Sequence, residues 1–177
     1  PSPSTATNNI FRRFNYDYAS KKLLEVLFRY DGSYKFPKKT RYGFFPAASF
    51  GWRISEENFI KDNAPWINQL KLRASLGQTG NDAVSAYQYL QSYSFGGNFV
   101  FGTGTAAGLN PGTMPNPNIT WEKSTKYDLG LESLFWNGLL GAEITLFQEH
   151  RTDILARRNL SIPETFGFPS LPDENIG

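Results

Sequence analysis

The stretch from Lys22 to Ser33, KLLEVLFRYDGS, most constrains what this chain can fold into. Side chains of a β-strand point alternately to opposite faces, so odd and even positions can be read separately. One face carries Leu24, Val26, Phe28 and Tyr30, and the other carries Glu25, Leu27, Arg29 and Asp31. The stretch is about as long as the roughly 9–11 residues with which a tilted strand crosses a bilayer. Its apolar face must therefore meet either a protein core or lipid.

Five further windows alternate in the same way, at about residues 11–18, 42–54, 70–76, 120–133 and 140–149. They predict an all-β fold of about six antiparallel up-and-down strands. Pro46 falls inside the third strand and cannot donate a ladder hydrogen bond, so we expect it at a bulge or beyond the paired region. Residues 1–10 show no pattern and are predicted to form a disordered or loop lead. From Arg151 the alternation fades into a polar loop.

Twelve charged residues in these windows lie on the face opposite the apolar residues. The charged face, which would line the lumen of a barrel, contains Glu25, Arg29, Asp31, Arg53, Arg73, Lys126, Asp128 and Glu132. The face that would meet lipid contains Leu24, Val26, Phe28, Tyr30, Phe50, Trp52, Leu72, Leu129, Leu131 and Ile144. An Arg or Lys on a lipid face at mid-bilayer costs about 2–4 kcal/mol, so this segregation favours the wall of a transmembrane β-barrel. Leu27 and Phe147 are the apolar exceptions on the charged face.

The connections between the predicted strands alternate in length. Ala19–Lys21 leaves room for a tight turn, and Asn137-Gly138 is a strong signal for a two-residue hairpin. The connections at residues 34–41 and about 78–119 are long, and they alternate along the chain with the tight ones. Barrels of the outer membrane show this asymmetry, with short periplasmic turns and long outer loops. Residues 55–69 do not fit the alternation, and Ser55-Glu56-Glu57 there predicts the start of a short helix.

Composition excludes several classes of protein. The net charge of +2 over 177 residues is too small for a nucleic-acid-binding surface, and the absence of Cys excludes a disulfide scaffold and thiolate metal sites. No run of eighteen apolar residues predicts a transmembrane helix. His150 is the single histidine and no G-x-S-x-G motif accompanies it, so we expect no enzyme, and no metal or cofactor site is predicted. The chain begins at Pro1 without Met, so we expect a piece of a longer protein.

Several blocks of sequence resemble one known family. They are Arg41-Tyr42-Gly43-Phe44-Phe45-Pro46, Gly51-Trp52-Arg53-Ile54-Ser55-Glu56-Glu57, Leu70-Lys71-Leu72-Arg73-Ala74-Ser75-Leu76-Gly77-Gln78-Thr79-Gly80-Asn81, Ile119-Thr120-Trp121-Glu122-Lys123-Ser124 and Arg29-Tyr30-Asp31-Gly32-Ser33. With their spacing, they look like the barrel of SusC/RagA-type TonB-dependent outer-membrane transporters. The resemblance runs from about Phe11 to the end, and it accounts for a short helical connection at residues 55–69.

The resemblance implies a plugged barrel of about 22 strands in the outer membrane of a Gram-negative cell. It also implies a SusD-like surface lipoprotein as partner and the TonB complex as energy source, with glycans or peptides as cargo. Residues 11–177 have room for only a part of that barrel, with a long outer loop at about 78–119. This chain would then be a segment of the wall.

Two questions stay open at the level of sequence. The aromatic residues of the long loop either bind a substrate or a partner, or they pack and extend the wall; they are Tyr87, Tyr89, Tyr93, Phe95, Phe99 and Phe101. The main alternative to a barrel wall is a soluble β-sandwich that binds carbohydrate or protein, since alternating strands and aromatic loops are equally natural there. A sandwich would hide Phe28, Phe50, Leu72 and Leu129 between two stacked sheets. A secreted β-rich hydrolase is a third possibility, and the absence of a nucleophile, carboxylate or metal motif from this sequence argues against it.

Overall fold

Six strands form one antiparallel sheet in the computed structural model, which describes residues 6–157, 163, 165 and 167–177. The strands follow chain order across the sheet: β1 (Thr7–Tyr18), β2 (Lys22–Ser33), β3 (Tyr42–Arg53), β4 (Ile67–Asn81), β7 (Glu122–Phe135) and β8 (Leu140–Thr152). Two separate hairpins pair β5 (Tyr93–Phe101) with β6 (Gly104–Pro111), and β9 (Ile154–Arg157) with β10 (Asp173–Ile176). The predicted all-β fold with six up-and-down strands is confirmed.

Three predicted boundaries differ from the structure. Strand β1 begins at Thr7, inside the lead predicted for residues 1–10, and Thr7 lies opposite Ser33 of β2; residues 1–5 lie outside the described part. The sequence does not predict the start of this strand, because the polar pair Asn8-Asn9 interrupts the apolar alternation. These residues are in a strand because they pair with β2. Strand β4 continues to Asn81, opposite Glu122, and β8 continues to Thr152.

The connection from β4 to β7 contains more structure than the sequence predicts. Strands β5 and β6 form a hairpin within it and pair only with each other. Six glycines, at positions 96, 97, 102, 104, 108 and 112, predict irregular chain in this connection, yet Gly96 and Gly97 form a bulge opposite Gly108. Phe99 lies across Gly108, where a Cβ would overlap its ring.

The tight turns lie together at one end of the sheet. Ala19 and Ser20 both have φ 53°, and the Ser20 amide donates to Asp17 Oδ1 at 2.7 Å, which closes the predicted three-residue turn. The two-residue turn predicted on Asn137-Gly138 is wrong. Phe135 instead lies opposite Leu140, so four residues, 136–139, make the connection.

The remaining local expectations concern Pro46 and residues 55–69. Pro46 lies opposite Phe28 of β2, and the pairing of β3 with β4 begins only at Ala47. The proline therefore stands beyond the region paired with β4, as its missing amide requires. A 3₁₀ helix, Ile54–Glu56, and helix α1, Asn58–Asn63, form the predicted short helical connection.

The buried hydrophobic residues of the described chain gather at the end of the sheet opposite the tight turns. They form one cluster, Phe36, Phe45, Val84, Ile119 and Trp121. The ring of Trp121 lies 5.2 Å from that of Phe36 and 5.4 Å from that of Phe45, and its Nε1 donates to the Arg41 carbonyl at 3.1 Å. The cluster thus packs both long connections against the N-terminal end of β3.

Glycines make room for the Phe45 ring. A Cβ at Gly43 or at Gly80 would overlap this ring, whereas a Cβ at Gly51, lower on β3, would meet ordinary van der Waals contacts from 3.6 Å outward. Because Phe45 is 2% exposed, it has little room to move away.

At the opposite end, Glu57 joins the first turn to the helical connection. Its carboxylate accepts hydrogen bonds from Trp52 Nε1 and Lys21 Nζ, both at 3.1 Å. The Trp52 hydrogen bond, followed by the Lys21 one, holds the pKa of Glu57 below its usual 4.5. Arg53 adds a hydrogen bond to the Ser20 carbonyl at 3.2 Å.

The first prediction concerns the Phe45 site. Gly80→Ala should lower the free energy of unfolding of the full-length protein by about 1–3 kcal/mol, because the added methyl group overpacks a filled site. Gly51→Ala is the matched control and should change stability by less than half as much. Chemical denaturation in lipid vesicles measures both. Equal effects of the two substitutions would contradict the packing described around Phe45.

The second prediction concerns Glu57. Since its folded pKa is below the unfolded value, its ionised form stabilises the fold above about pH 4.5, and that contribution is lost as pH falls through the folded pKa. Amide exchange at Ser20 and Lys21, corrected for intrinsic rates, should therefore accelerate below pH 4.5. Glu57→Gln should remove this pH dependence, and Asp62→Asn on α1 should keep it. The same acid response in Glu57→Gln would refute the assignment to Glu57.

Candidate functional site: the two faces of the sheet

Cross-strand register aligns the apolar residues of all six strands into rows. One row runs Tyr16, Leu24, Phe50, Ala74, Leu129 and Leu146. The next row toward the tight turns on the same face runs Tyr18, Lys22, Trp52, Leu72, Leu131 and Ile144. All ten residues predicted to face lipid share this face, which we call the apolar face. The eight residues predicted to line a lumen share the other, the polar face.

The apolar face is open in the described structure. Phe28 is 38% exposed, Phe50 40% and Leu129 47%. No second sheet of the described residues covers them, since the six strands form one sheet and the other four strands pair only within two hairpins. A β-sandwich would bury these side chains, so the alternative that the sequence allowed is not supported.

The apolar face is an oblique band. On β8 its apolar residues end at Leu146, in the row of Tyr16, but on β1 they continue to Ile10, six residues further along that strand. Along the strand direction this offset is about 20 Å. It accumulates over the five spacings, of about 4.8 Å each, that separate β1 from β8. A band that is level with a membrane therefore requires strands tilted by about 40°, within the range of about 35–45° found in outer-membrane barrels.

The band also has a suitable height. On β7 it extends from Phe135 to Tyr127, eight residues apart. At about 3.3 Å per residue and the tilt above, this corresponds to about 20 Å. The apolar band of outer-membrane barrels is about 25 Å tall and is flanked by aromatic residues. Aromatic residues likewise stand at both ends of the band on β7.

Two basic residues lie on the apolar face within its apolar band. Lys22 lies at the tight-turn end of the face, opposite Trp52. Arg12 lies further in, opposite Phe28 and between Phe14 and Ile10 on β1, and its guanidinium donates to the Phe11 carbonyl at 3.3 Å. Their long side chains can cover apolar surface while the charge reaches polar surroundings. The strand parity of β1 would have revealed Arg12.

Ion pairs cover the polar face. Glu132 lies 3.4 Å from Lys71 Nζ and 3.2 Å from Arg73 Nε, and Arg73 Nη2 reaches Glu143 at 2.6 Å. Gly130 makes this possible, because a Cβ there would overlap the Arg73 side chain. These alternating positive and negative side chains extend over β4, β7 and β8. Each charge therefore has an opposite charge beside it.

Further polar contacts follow the same face toward the long connections. Glu149 accepts a hydrogen bond from Ser124 at 2.7 Å and pairs with Arg151 at 2.7 Å. Arg29 pairs with the buried Asp31 at 2.7 Å. Lys126 lies 3.7 Å from Glu149. Such a face suits a wet interior, because these charges would be costly to desolvate against lipid.

The loop aromatics divide into two groups. Tyr89 packs against the buried cluster, and the ring of Tyr87 lies 5.9 Å from that of Tyr34 and 6.3 Å from that of Tyr89. The other four lie on β5, where the bulge at Gly96-Gly97 changes the alternation: Tyr93 and Phe95 share one face of the hairpin, and Phe99 and Phe101 share the other. Phe95 is 86% exposed. The structure therefore does not bring the six predicted aromatics together.

Among the described residues, no three His, Asp or Glu side chains form a group that could hold a metal ion. His150 lies on β8 opposite Thr125. In the described ranges, no helix has the length and apolar character to span a membrane.

Comparison with known proteins identifies the family. A family model described as TonB dependent receptor-like, beta-barrel, matches residues 1–175. TonB-dependent receptor P26 of Formosa agariphila is 36% identical over 169 residues, which cover 96% of this chain and 17% of that protein. TonB-dependent receptor SusC of Bacteroides thetaiotaomicron is 33% identical over 171 residues, covering 94% of this chain and 17% of that protein.

Solved structures agree with this result. The structure of the RagAB peptide transporter superposes with a TM-score of 0.81 at 28% identity, and the match covers 98% of this chain and 18% of that one. The RagAB peptide importer in its open-open state gives a TM-score of 0.82 at 26% identity, with the same coverage. The chain thus spans less than a fifth of the length of these relatives. The family is one of barrel receptors and is not an enzyme family.

A one-sheet wall with an open apolar face and an ion-paired polar face is the expected form of part of such a barrel, and the chain belongs to the TonB-dependent receptor-like β-barrel family.

Proposed function

We propose that this chain is a segment of the wall of a SusC-like outer-membrane importer, with its apolar face against lipid and its polar face toward the lumen. One observation carries the proposal: the register aligns apolar rows across six strands while the side chains of those rows stay open. Each Å² of apolar surface that stays exposed to water costs about 25 cal/mol of free energy relative to its burial. Contact with lipid tails removes that penalty.

The proposed orientation assigns each predicted residue a role. The ten apolar residues from Leu24 to Ile144 named above contact acyl chains at successive depths. The eight polar-face residues, among them Arg73 and Glu132, face a water-filled interior where their ion pairs are hydrated. Paired charges keep this part of the lumenal wall close to neutral, which avoids a strong field acting on cargo of either sign.

The proposed cargo and partners follow from the relatives. RagAB is named a peptide importer and SusC is named a TonB-dependent receptor. We infer that the complete protein imports glycans or peptides across the outer membrane of a Gram-negative cell. It would work with a SusD-like surface lipoprotein and use energy passed on by the TonB complex.

The hairpin β5–β6 is the proposed contact for substrate or for that lipoprotein. Tyr93 and Phe95 stand on one of its faces beside Leu109, and Phe95 and Leu109 are both largely exposed. Phe99 and Phe101 give the other face a second aromatic pair. Tyr87 and Tyr89 are left out of this proposal, because their rings are engaged in packing at the base of the connection.

The third prediction tests the lipid contact. Ile144→Lys should destabilise the full-length barrel in lipid vesicles by about 2–4 kcal/mol, since it places a charge in the middle of the apolar band. Phe147→Lys is the matched control, three residues along the same strand but on the polar face, where Phe147 is 78% exposed. It should cost less than 1 kcal/mol. Urea unfolding of both variants gives the comparison, and a control that is as costly as Ile144→Lys would reverse the proposed orientation.

The fourth prediction concerns the hairpin. Phe95→Ala should weaken uptake of cargo or co-purification of the lipoprotein severalfold, because Phe95 contributes a large exposed ring to the proposed contact. Phe59→Ala on α1 removes an exposed ring from the opposite end of the sheet and should change neither. If Phe95→Ala matches wild type in both assays, the hairpin contact is wrong.

A further inference from the structure

The β5–β6 hairpin stands outside the six-stranded sheet and has edges of its own. Its two strands pair with each other, and within the described residues no third strand lies beside either of them. At each outer edge, every second residue directs its backbone N–H and C=O groups away from the hairpin. Such an edge is a template for a further strand unless the protein blocks it.

Strand β5 blocks its own edge, whereas β6 does not. The bulge at Gly96-Gly97 interrupts the ladder of β5, and the Asn110 side chain donates to the Gly96 carbonyl at 3.1 Å. Bulges are one of the devices by which natural edge strands avoid further pairing. Strand β6 runs without a bulge from Gly104 and reaches a proline only at its last residue, Pro111. The β6 edge is therefore the one suited to a further strand.

Charge does not protect the β6 edge either. Residues 83–121 contain no Asp, Glu, Lys, Arg or His, although charged residues make up 19% of the whole chain. Charged side chains, especially Lys, are a usual means of keeping an exposed edge from pairing. The edge fits a strand that is uncharged as well, because a charged one would lose hydration there without an opposite charge to pair with.

The turn of the hairpin determines which amides face outward. Phe101 lies opposite Gly104, so the connecting loop has two residues. Gly102 has φ 62°, as the first residue of a type II′ turn requires. The pair that flanks such a loop is hydrogen-bonded, and bonded and non-bonded pairs alternate along an antiparallel ladder.

Three exposed residues of β6 follow this alternation. Ala106 lies opposite Phe99, two positions beyond the flanking pair, so its N–H bonds within the hairpin. Thr105 and Ala107 belong to the alternate pairs, so their N–H groups point to the free edge. The small side chains of this strand leave room beside it, and the Phe99 ring reaches across to Gly108.

Apolar side chains beside the edge are open on both faces of the hairpin. Val100 is 73% exposed and Leu109 57% on one face, and Phe99 is 54% exposed on the other. A strand laid along β6 would cover part of this apolar surface while its backbone continues the ladder. That combination is the mode of recognition called β-augmentation.

The occupant of such an edge has to be present most of the time. A neutral edge beside exposed aromatic residues is a site of aggregation while it is bare. Cargo would leave it bare between transport events, and a glycan has no amide ladder with which to pair. The hairpin belongs to the connection between β4 and β7, at the end of the sheet opposite the tight turns, where the proposed function places the surface lipoprotein.

We propose that the free edge of β6 binds an uncharged, extended strand of the SusD-like lipoprotein, which joins the hairpin as a third strand. Backbone hydrogen bonds to Thr105 and Ala107 hold this strand, and the apolar side chains on both faces pack against it. The inference rests on the hairpin contact in the proposed function and specifies how that contact is made.

A proline at position 107 tests the pairing. Ala107→Pro removes an N–H that points to the free edge and removes no hydrogen bond of the hairpin, a position at which edge strands accept proline. Ala107→Val is the matched control, because it adds a side chain of similar size and keeps the N–H. In the full-length protein produced with its lipoprotein, Ala107→Pro should lower co-purification of the lipoprotein severalfold, and Ala107→Val should leave it close to the wild-type level.

Three outcomes would overturn the proposal. The first is wild-type retention of the lipoprotein by Ala107→Pro, and the second is an equal loss in both variants. The third is retention of the lipoprotein with a loss of cargo uptake, which would assign the edge to cargo. If Phe95→Ala and Ala107→Pro both retain the lipoprotein and normal uptake, the hairpin contact itself is wrong. If only Ala107→Pro does so, the contact stands and the strand pairing is wrong.

Hydrogen exchange on the unaltered protein gives a test that needs no substitution. Residue-resolved exchange at Thr105 and Ala107 should slow severalfold when the lipoprotein is added to the full-length receptor, while Ala106 exchanges slowly in both states. Equal rates at Thr105 with and without the lipoprotein would overturn the proposal. Slow exchange at Thr105 and Ala107 in the receptor alone would do the same, because another part of the receptor would then cover the edge.

Discussion

Strand register is the constraint on which both faces of the sheet depend. Side chains alternate with a period of two, so a slip of one residue on any strand would exchange its apolar and charged sets. Five consecutive pairings keep the same parity from β1 to β8. The one shift among them, between Ile67 and Gln69, lies at the beginning of β4, on the tight-turn side of the aligned rows. The rows are therefore continuous across the whole sheet.

The two ends of the sheet are held by different forces. At the long connections, Phe45, Trp121 and their neighbours bury apolar surface and make a small conventional core. At the tight turns, hydrogen bonds to Glu57 and stacked indoles connect segments that bury little. Between these ends the strands have no core, and their stability rests on the ladder, on ion pairs such as Arg73 with Glu143, and on what covers the apolar face.

The local sequence pattern was sufficient to predict the long strands. It was insufficient for segments whose structure depends on residues distant in the sequence. Alternation from Leu24 to Tyr30 specifies β2 and its faces, and the same reasoning holds for β7 and β8. It could not find Thr7 to Ile10, which becomes strand through pairing with β2, nor the hairpin within the glycine-rich connection. Asn137-Gly138 predicted the wrong turn, since the contacts between Trp136 and Trp66 join residues 70 positions apart and outweigh local preference. The separation of Tyr87 and Tyr89 from the hairpin aromatics likewise depends on tertiary packing.

The oblique course of the apolar band has a consequence for the space that the wall encloses. A strand tilted by about 40° occupies roughly 6 Å of circumference instead of about 4.8 Å, so six strands span an arc of nearly 40 Å. A ring not much longer than this arc would have an interior just wide enough for side chains to fill. This arc carries the long charged side chains of Arg73, Lys71 and Glu132, whose charged groups need contact with water. The polar face that we propose lines the lumen is thus suited to a barrel whose perimeter is several times the length of this arc.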